Sequence, residues 1–151
     1  MTIRKNKPRI MGSETEWRIS CEGFDCFSNS TKEAIAKDIL SLLGFSEYRH
    51  INNRWIAPDQ SQFYVDSVQG GYFVECATVE CLGATDLACR ETSQNSILAN
   101  ALAVYNQRQK NWPKVSLFKT NRDCKLIKDA DNKPLAMIIE SAGSHANYFM
   151  P

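Results

Sequence analysis

The spacing of turn signals is what most constrains this chain. Between residues 46 and 79 the pairs Asn52-Asn53, Pro58-Asp59 and Gly70-Gly71 divide it into short runs rich in Tyr, Phe, Trp, Val and Ile. Such runs are too brief for stable helices and read as strands joined by tight turns. The expected strands are 48–51, 54–57, 62–68 and 72–79, an antiparallel meander. A strand is also expected over 16–22, where Trp17, Ile19 and Cys21 alternate with Glu16, Arg18, Ser20 and Glu22. That alternation is the signature of a half-buried strand. Phe63, Val65 and Phe73 are expected on one face of the meander, with Tyr64 pointing the other way because neighbours on a strand face oppositely.

Two helices flank the meander. Over 30–44, Ile35, Ile39, Leu42 and Leu43 fall at helical spacing, Ser30 with Glu33 reads as a capping box, Glu33 and Lys37 as an i,i+4 pair, and Gly44 as the stop. Over 93–110, Ile97, Leu98, Ala101, Leu102, Val104 and Tyr105 form an apolar stripe, and Pro113 forbids continuation. Residues 81–91 fit either a loop or a short helical turn. Strands are expected again at 115–119, 125–129 and 135–140, while 141–151 shows no period. Strands grouped in runs, not alternating singly with helices, predict an α+β fold with two helices packed on a mainly antiparallel sheet. The order is strand, helix, strand meander, helix, hairpin. At 151 residues the chain is sized for a single compact domain, expected over 14–151. Residues 1–13, with Arg4, Lys5, Lys7 and Arg9 and no acid, read as a flexible basic arm.

No stretch has the apolar core of a signal peptide, and the longest aliphatic run, 135–139, is far short of a membrane span. The expected location is therefore cytoplasmic, with the six cysteines as free thiols and no membrane partner. Net charge is +1, yet it is unevenly spread. Segment 108–128 carries Arg108, Lys110, Lys114, Lys119, Arg122, Lys125 and Lys128 against Asp123 alone, with Trp112 among the cations. Cations interleaved with aromatics can track a phosphate backbone, which makes nucleic-acid binding the alternative reading.

Chemical motifs are scarce. Cys21 with Cys26 and Cys76 with Cys81 repeat one spacing, at the edge of what a four-thiolate zinc site uses, but two of the four fall in expected strands where Cys acts as a small hydrophobe. Cys26 ahead of a helix, with His50 or His145 as base, gives a second alternative, a Cys-dependent enzyme. Asp59 with Asp66, and Asp129 with Asp131, read as solvated acids near turns. No phosphate loop, metalloprotease helix or nucleophile elbow is present. No catalytic residue, metal or cofactor is expected. Aromatic and Arg side chains dominate protein interfaces, so Tyr48, Arg49, Arg54, Trp55, Tyr64 and Tyr72 are the expected contacts with a protein partner, which a second copy of the chain could also supply. In build the chain resembles the small accessory proteins of phages and mobile elements, which implies a noncatalytic binding module, such as an inhibitor of a host defence complex.

Overall fold

The computed structural model describes residues 10–21, 28–43, 49–68, 71–109, 113–119, 123–128, 134–140 and 144–149. In chain order the elements are β1 (Ile10–Cys21), α1 (Asn29–Ser41), β2 (Arg49–Ile51), β3 (Arg54–Ile56), β4 (Gln62–Val68), β5 (Gly71–Ala77), α2 (Ala84–Arg108), β6 (Val115–Phe118), β7 (Asp123–Lys128), β8 (Pro134–Glu140) and β9 (Ser144–Phe149). The α+β class and the antiparallel sheet expected from the sequence are what the structure contains.

The main sheet has seven strands in the order β2-β3-β4-β5-β1-β6, with β9 also paired to β1. All of its pairings are antiparallel. One edge of β1 pairs with β5. Its other edge serves β9 in the first half, from Ile10 to Thr15, and β6 in the second, from Arg18 to Cys21. β7 and β8 form a separate hairpin.

Both helices pack on one face, α1 against β4 and β5, α2 against β1 and β6, and each against the other. The strand residues that meet them are every second one: Ile19 on β1, Phe63 on β4, Val74 and Cys76 on β5, and Val115 on β6, joined by Ile35, Ile39, Leu40 and Leu43 of α1 and Leu98, Ala101 and Tyr105 of α2. Burying such an apolar layer is the main force holding sheet and helices together. The intervening strand residues, Glu14, Glu16 and Arg18 on β1, Tyr64 and Asp66 on β4 and Glu75 on β5, are thereby committed to the opposite face.

Several boundaries differ from the sequence reading for identifiable reasons. β1 begins at Ile10, so residues 10–13 of the expected arm are paired with β9; residues 1–9 lie outside the described residues. The cap of α1 lies two residues before the expected one. Ser28, not Ser30, accepts from the Thr31 backbone N–H at 3.2 Å, while Glu33 pairs forward with Lys37 at 2.6 Å as expected. Ser28→Ala should cost about 1 kcal/mol, the usual worth of a cap, and Ser30→Ala close to nothing; paired urea melts check this.

α2 absorbs the ambiguous segment as well, because Asp86 in its first turn bonds Arg90 one turn later and Gln94 donates to the Ala77 carbonyl at 2.9 Å. Gln94 is buried, and Val104, expected on the buried stripe, is exposed. The expected terminus at Lys110 and the stop at Gly44 fall outside the described residues. Phe73 is opposite Asp66, whereas Val74 is opposite Val65, so Phe73 does not share the face of Phe63 and Val65. A one-residue change of register moves a side chain to the other face. β9 falls in the tail where no period was read; its pairing to β1 spans most of the chain and leaves no local pattern.

Candidate functional site

The register of four strands lines up a polar row on the sheet face away from the helices. Arg54 is opposite Tyr64, Tyr64 opposite Glu75, and Glu75 opposite Glu16. Asp66 is two residues beyond Tyr64 on β4 and therefore on the same face. The carboxylate oxygens of Glu16, Asp66 and Glu75 all come within 4.8 Å of one another. Arg18, buried, follows on the same face of β1, and Glu14 precedes it.

Hydrogen bonds fix the outer half of this row. The Tyr64 hydroxyl donates to Glu75 Oε1 at 2.6 Å, the Arg54 guanidinium lies 4.5 Å above the Tyr64 ring centroid, and Arg54 donates to Gln62 Oε1 at 2.6 Å. Burial raises the Glu75 carboxyl above its ordinary range, an effect that Asp66, Glu14 and Glu16 reinforce and the Tyr64 hydrogen bond opposes. Burial, and then the neighbouring Glu75, likewise push the Tyr64 hydroxyl up.

Carboxylates forced together are costly to keep ionised and become favourable when a cation sits among them. Hard, oxygen-only donors of this kind suit Mg²⁺, Ca²⁺ or Mn²⁺ and not the thiolate metals. The three donors present fit such an ion, although no metal site was expected from the sequence.

A stability prediction follows from the Glu75 shift. A carboxyl raised in the fold gives its stabilisation in full below the unfolded value of 4.5 and loses it as pH rises through the folded value. Glu75→Gln should therefore raise the melting temperature by a few degrees at pH 7 and leave it unchanged near pH 3. Added Mg²⁺ should raise only the wild type. Calorimetric melts across pH read both effects.

Of the six residues expected at a protein interface, the four whose side chains are described divide between two faces. Arg54 and Tyr64 belong to the acidic row. Trp55 and Tyr72 line a cleft of about 630 Å³ on the helix side, with Glu33, Lys37 and Asp38 of α1 and with His50, whose ring lies 4.4 Å from that of Trp55. Tyr48 lies outside the described residues, and Arg49 starts β2.

The basic segment is not brought together as a described surface. Arg108 ends α2, Lys114 and Lys119 flank β6 and are exposed, Lys125 is on β7, and Lys110, Trp112 and Arg122 are outside the described residues. Cys76 is in the core, where burial pushes its thiol up, and Cys81 is buried beside β1, also raised by burial. Neither is an activated nucleophile. Cys26 lies outside the described residues.

Asp66 and Glu75, two of the three clustered acids, were legible only as alternation. Read locally, Asp66 looked like a solvated acid near a turn; it stands inside β4, and its partners come from β1 and β5.

A family model described as Pup-ligase protein matches residues 9–151. The chain belongs to the Pup-ligase family. This overturns the reading of a noncatalytic, phage-type accessory or inhibitor module, and with it the expectation that the chain is no enzyme; neither alternative, nucleic-acid binder or Cys-dependent enzyme, is what the family is described as. Among solved structures, the chain is similar to one in the crystal structure of the complex between prokaryotic ubiquitin-like protein Pup and its ligase PafA, at 23% identity and a TM-score of 0.62. The match covers 93% of this chain and 25% of that one, so this chain spans about a quarter of its length. No curated protein matches the sequence.

Proposed function

We propose that this chain provides the carboxylate-bearing sheet of a Pup-ligase-type enzyme, on which Glu16, Asp66 and Glu75 hold a divalent cation during ligation of Pup to a protein acceptor. The observation that carries the reading is the convergence of these three carboxylates within 4.8 Å on the helix-free face, in a chain of this family. Joining a carboxyl to an amine in water requires the carboxyl first to be activated with an anionic leaving group from a co-substrate, which departs as the amide forms, and a divalent cation would supply charge neutralisation and Lewis acidity for it. The chain's own residues would do the rest. Tyr64 orients Glu75, burial on the sheet lowers the local dielectric so that charges there act more strongly, and Arg18 offers a fixed positive charge beside the acids. The protein partner is then Pup, and Trp55 and Tyr72 at the helix-side cleft are the aromatic contacts we would test first for it. Among the described residues no helix is long and apolar enough to cross a membrane, and the free buried thiols of Cys76 and Cys81 suit the cytoplasm.

Titrating the chain with Mn²⁺, followed by loss of the free-ion electron paramagnetic resonance signal, tests the reading. One site per chain is expected, absent in the Glu16→Gln/Asp66→Asn/Glu75→Gln variant. Uptake that survives all three substitutions would place the ion elsewhere and remove the basis of the proposal.

A further inference from the structure

Arg54 lies outside the carboxylate cluster itself, yet it is held on β4 by a hydrogen bond to Gln62 and a contact with the Tyr64 ring. We propose that Arg54 is a positioning residue for the site, acting on Glu75 through Tyr64; the inference rests on the carboxylates being the functional centre.

Two contacts of its guanidinium are with β4. One nitrogen donates to Gln62 Oε1 at 2.6 Å, and Cζ lies over the Tyr64 ring, 4.5 Å from its centroid. Gln62 and Tyr64 are two residues apart on that strand and share a face, so one rigid, planar group spans both. A tyrosine ring is otherwise free to swing about two side-chain bonds. Clamped by Arg54, it keeps its hydroxyl on Glu75 Oε1 at 2.6 Å, and a carboxylate with one oxygen so engaged is restrained against rotation about its last bond. Its orientation toward Glu16 and Asp66 is thereby set from two strands away, β3 acting through β4 on β5. The role needs a guanidinium. Lysine carries the charge but neither the flat face for stacking nor the fork that reaches Gln62 at the same time. Arg54 is exposed, so its replacement should not disturb the core.

Electrostatics alone predicts the opposite sign. Arg54 places positive charge near a cation site, and on charge alone Arg54→Ala should tighten Mn²⁺ binding while Arg54→Lys changes nothing. Positioning predicts that both substitutions weaken it. Groups supporting a metal ligand from the outer shell typically contribute about 10- to 100-fold in affinity, so Tyr64→Phe should fall in that range and Arg54, one step further out, at about 3- to 10-fold.

The experiment is a double-mutant cycle on the full chain with Mn²⁺ as probe. It compares wild type, Arg54→Ala, Arg54→Lys, Tyr64→Phe and Arg54→Ala/Tyr64→Phe, with melting temperatures measured alongside. The expected result is that Arg54→Ala and Arg54→Lys both weaken binding and that Arg54→Ala has no further effect once Tyr64 is Phe. Unchanged or tighter binding in Arg54→Ala, or a penalty that persists in full in the Tyr64→Phe background, overturns the proposal. Should the wild type take up no Mn²⁺, the cation reading fails, and the ¹³C resonance of the Glu75 carboxyl decides the positioning role separately. A shift in Arg54→Ala that disappears in the Tyr64→Phe background supports it, and the absence of a shift refutes it.

Discussion

Asp66→Asn should weaken Mn²⁺ or Mg²⁺ binding by at least about 10- to 100-fold, the scale on which even indirect supports of a metal ligand act. The loss is expected because the substitution removes one of three negative charges that meet within 4.8 Å and swaps an anionic oxygen for a neutral amide of the same shape. Asp66 is only partly buried and Asn is nearly isosteric, so the fold should persist; apo melting temperature should stay level or rise as repulsion on Glu75 is relieved. The two readouts therefore separate. Lost cation affinity with an intact melt is the expected pattern, and lost affinity accompanied by collapse of the fold would instead make Asp66 a structural residue.

Phe63→Ala should destabilise the chain by about 3–5 kcal/mol, the range for truncating a large buried aromatic. Phe63 is fully buried on the helix face of β4, directly opposite Cys76 on β5 and Trp55 on β3. Its removal leaves a void beneath α1 that surrounding side chains can only partly fill. A marginally stable domain has roughly 5–15 kcal/mol in all, so much of the protein's reserve should go. Urea denaturation followed by circular dichroism measures it. Tyr64→Phe, the very next residue but on the other face, should cost far less stability and act instead on the carboxylate site. A comparable loss of stability from both would contradict the division of the sheet into a core face and a functional face.

That division also separates what was legible in the sequence from what was not. Local chemistry determined the strands around Asn52-Asn53 and Gly70-Gly71, the i,i+4 pairing of Glu33 with Lys37, and the alternation that sends Trp17 and Ile19 one way and Glu16 and Arg18 the other. These depend on periodicity and turn geometry, properties of neighbours in the chain. Local chemistry also misled at Asp66, which has no sequence neighbour to mark it as functional, and at Phe73, where one residue of register reverses the face. Only the tertiary structure decided that β1 lies beside β5 and β5 beside β4, and this order brings acids from positions 16, 66 and 75 to one point. Charge repulsion opposes that convergence, and burial of Phe63, Val74, Ile19 and their helix partners on the reverse face supplies the free energy to hold it. An acidic face read along one strand is indistinguishable from a solvated one; across three paired strands it becomes a cluster of carboxylates.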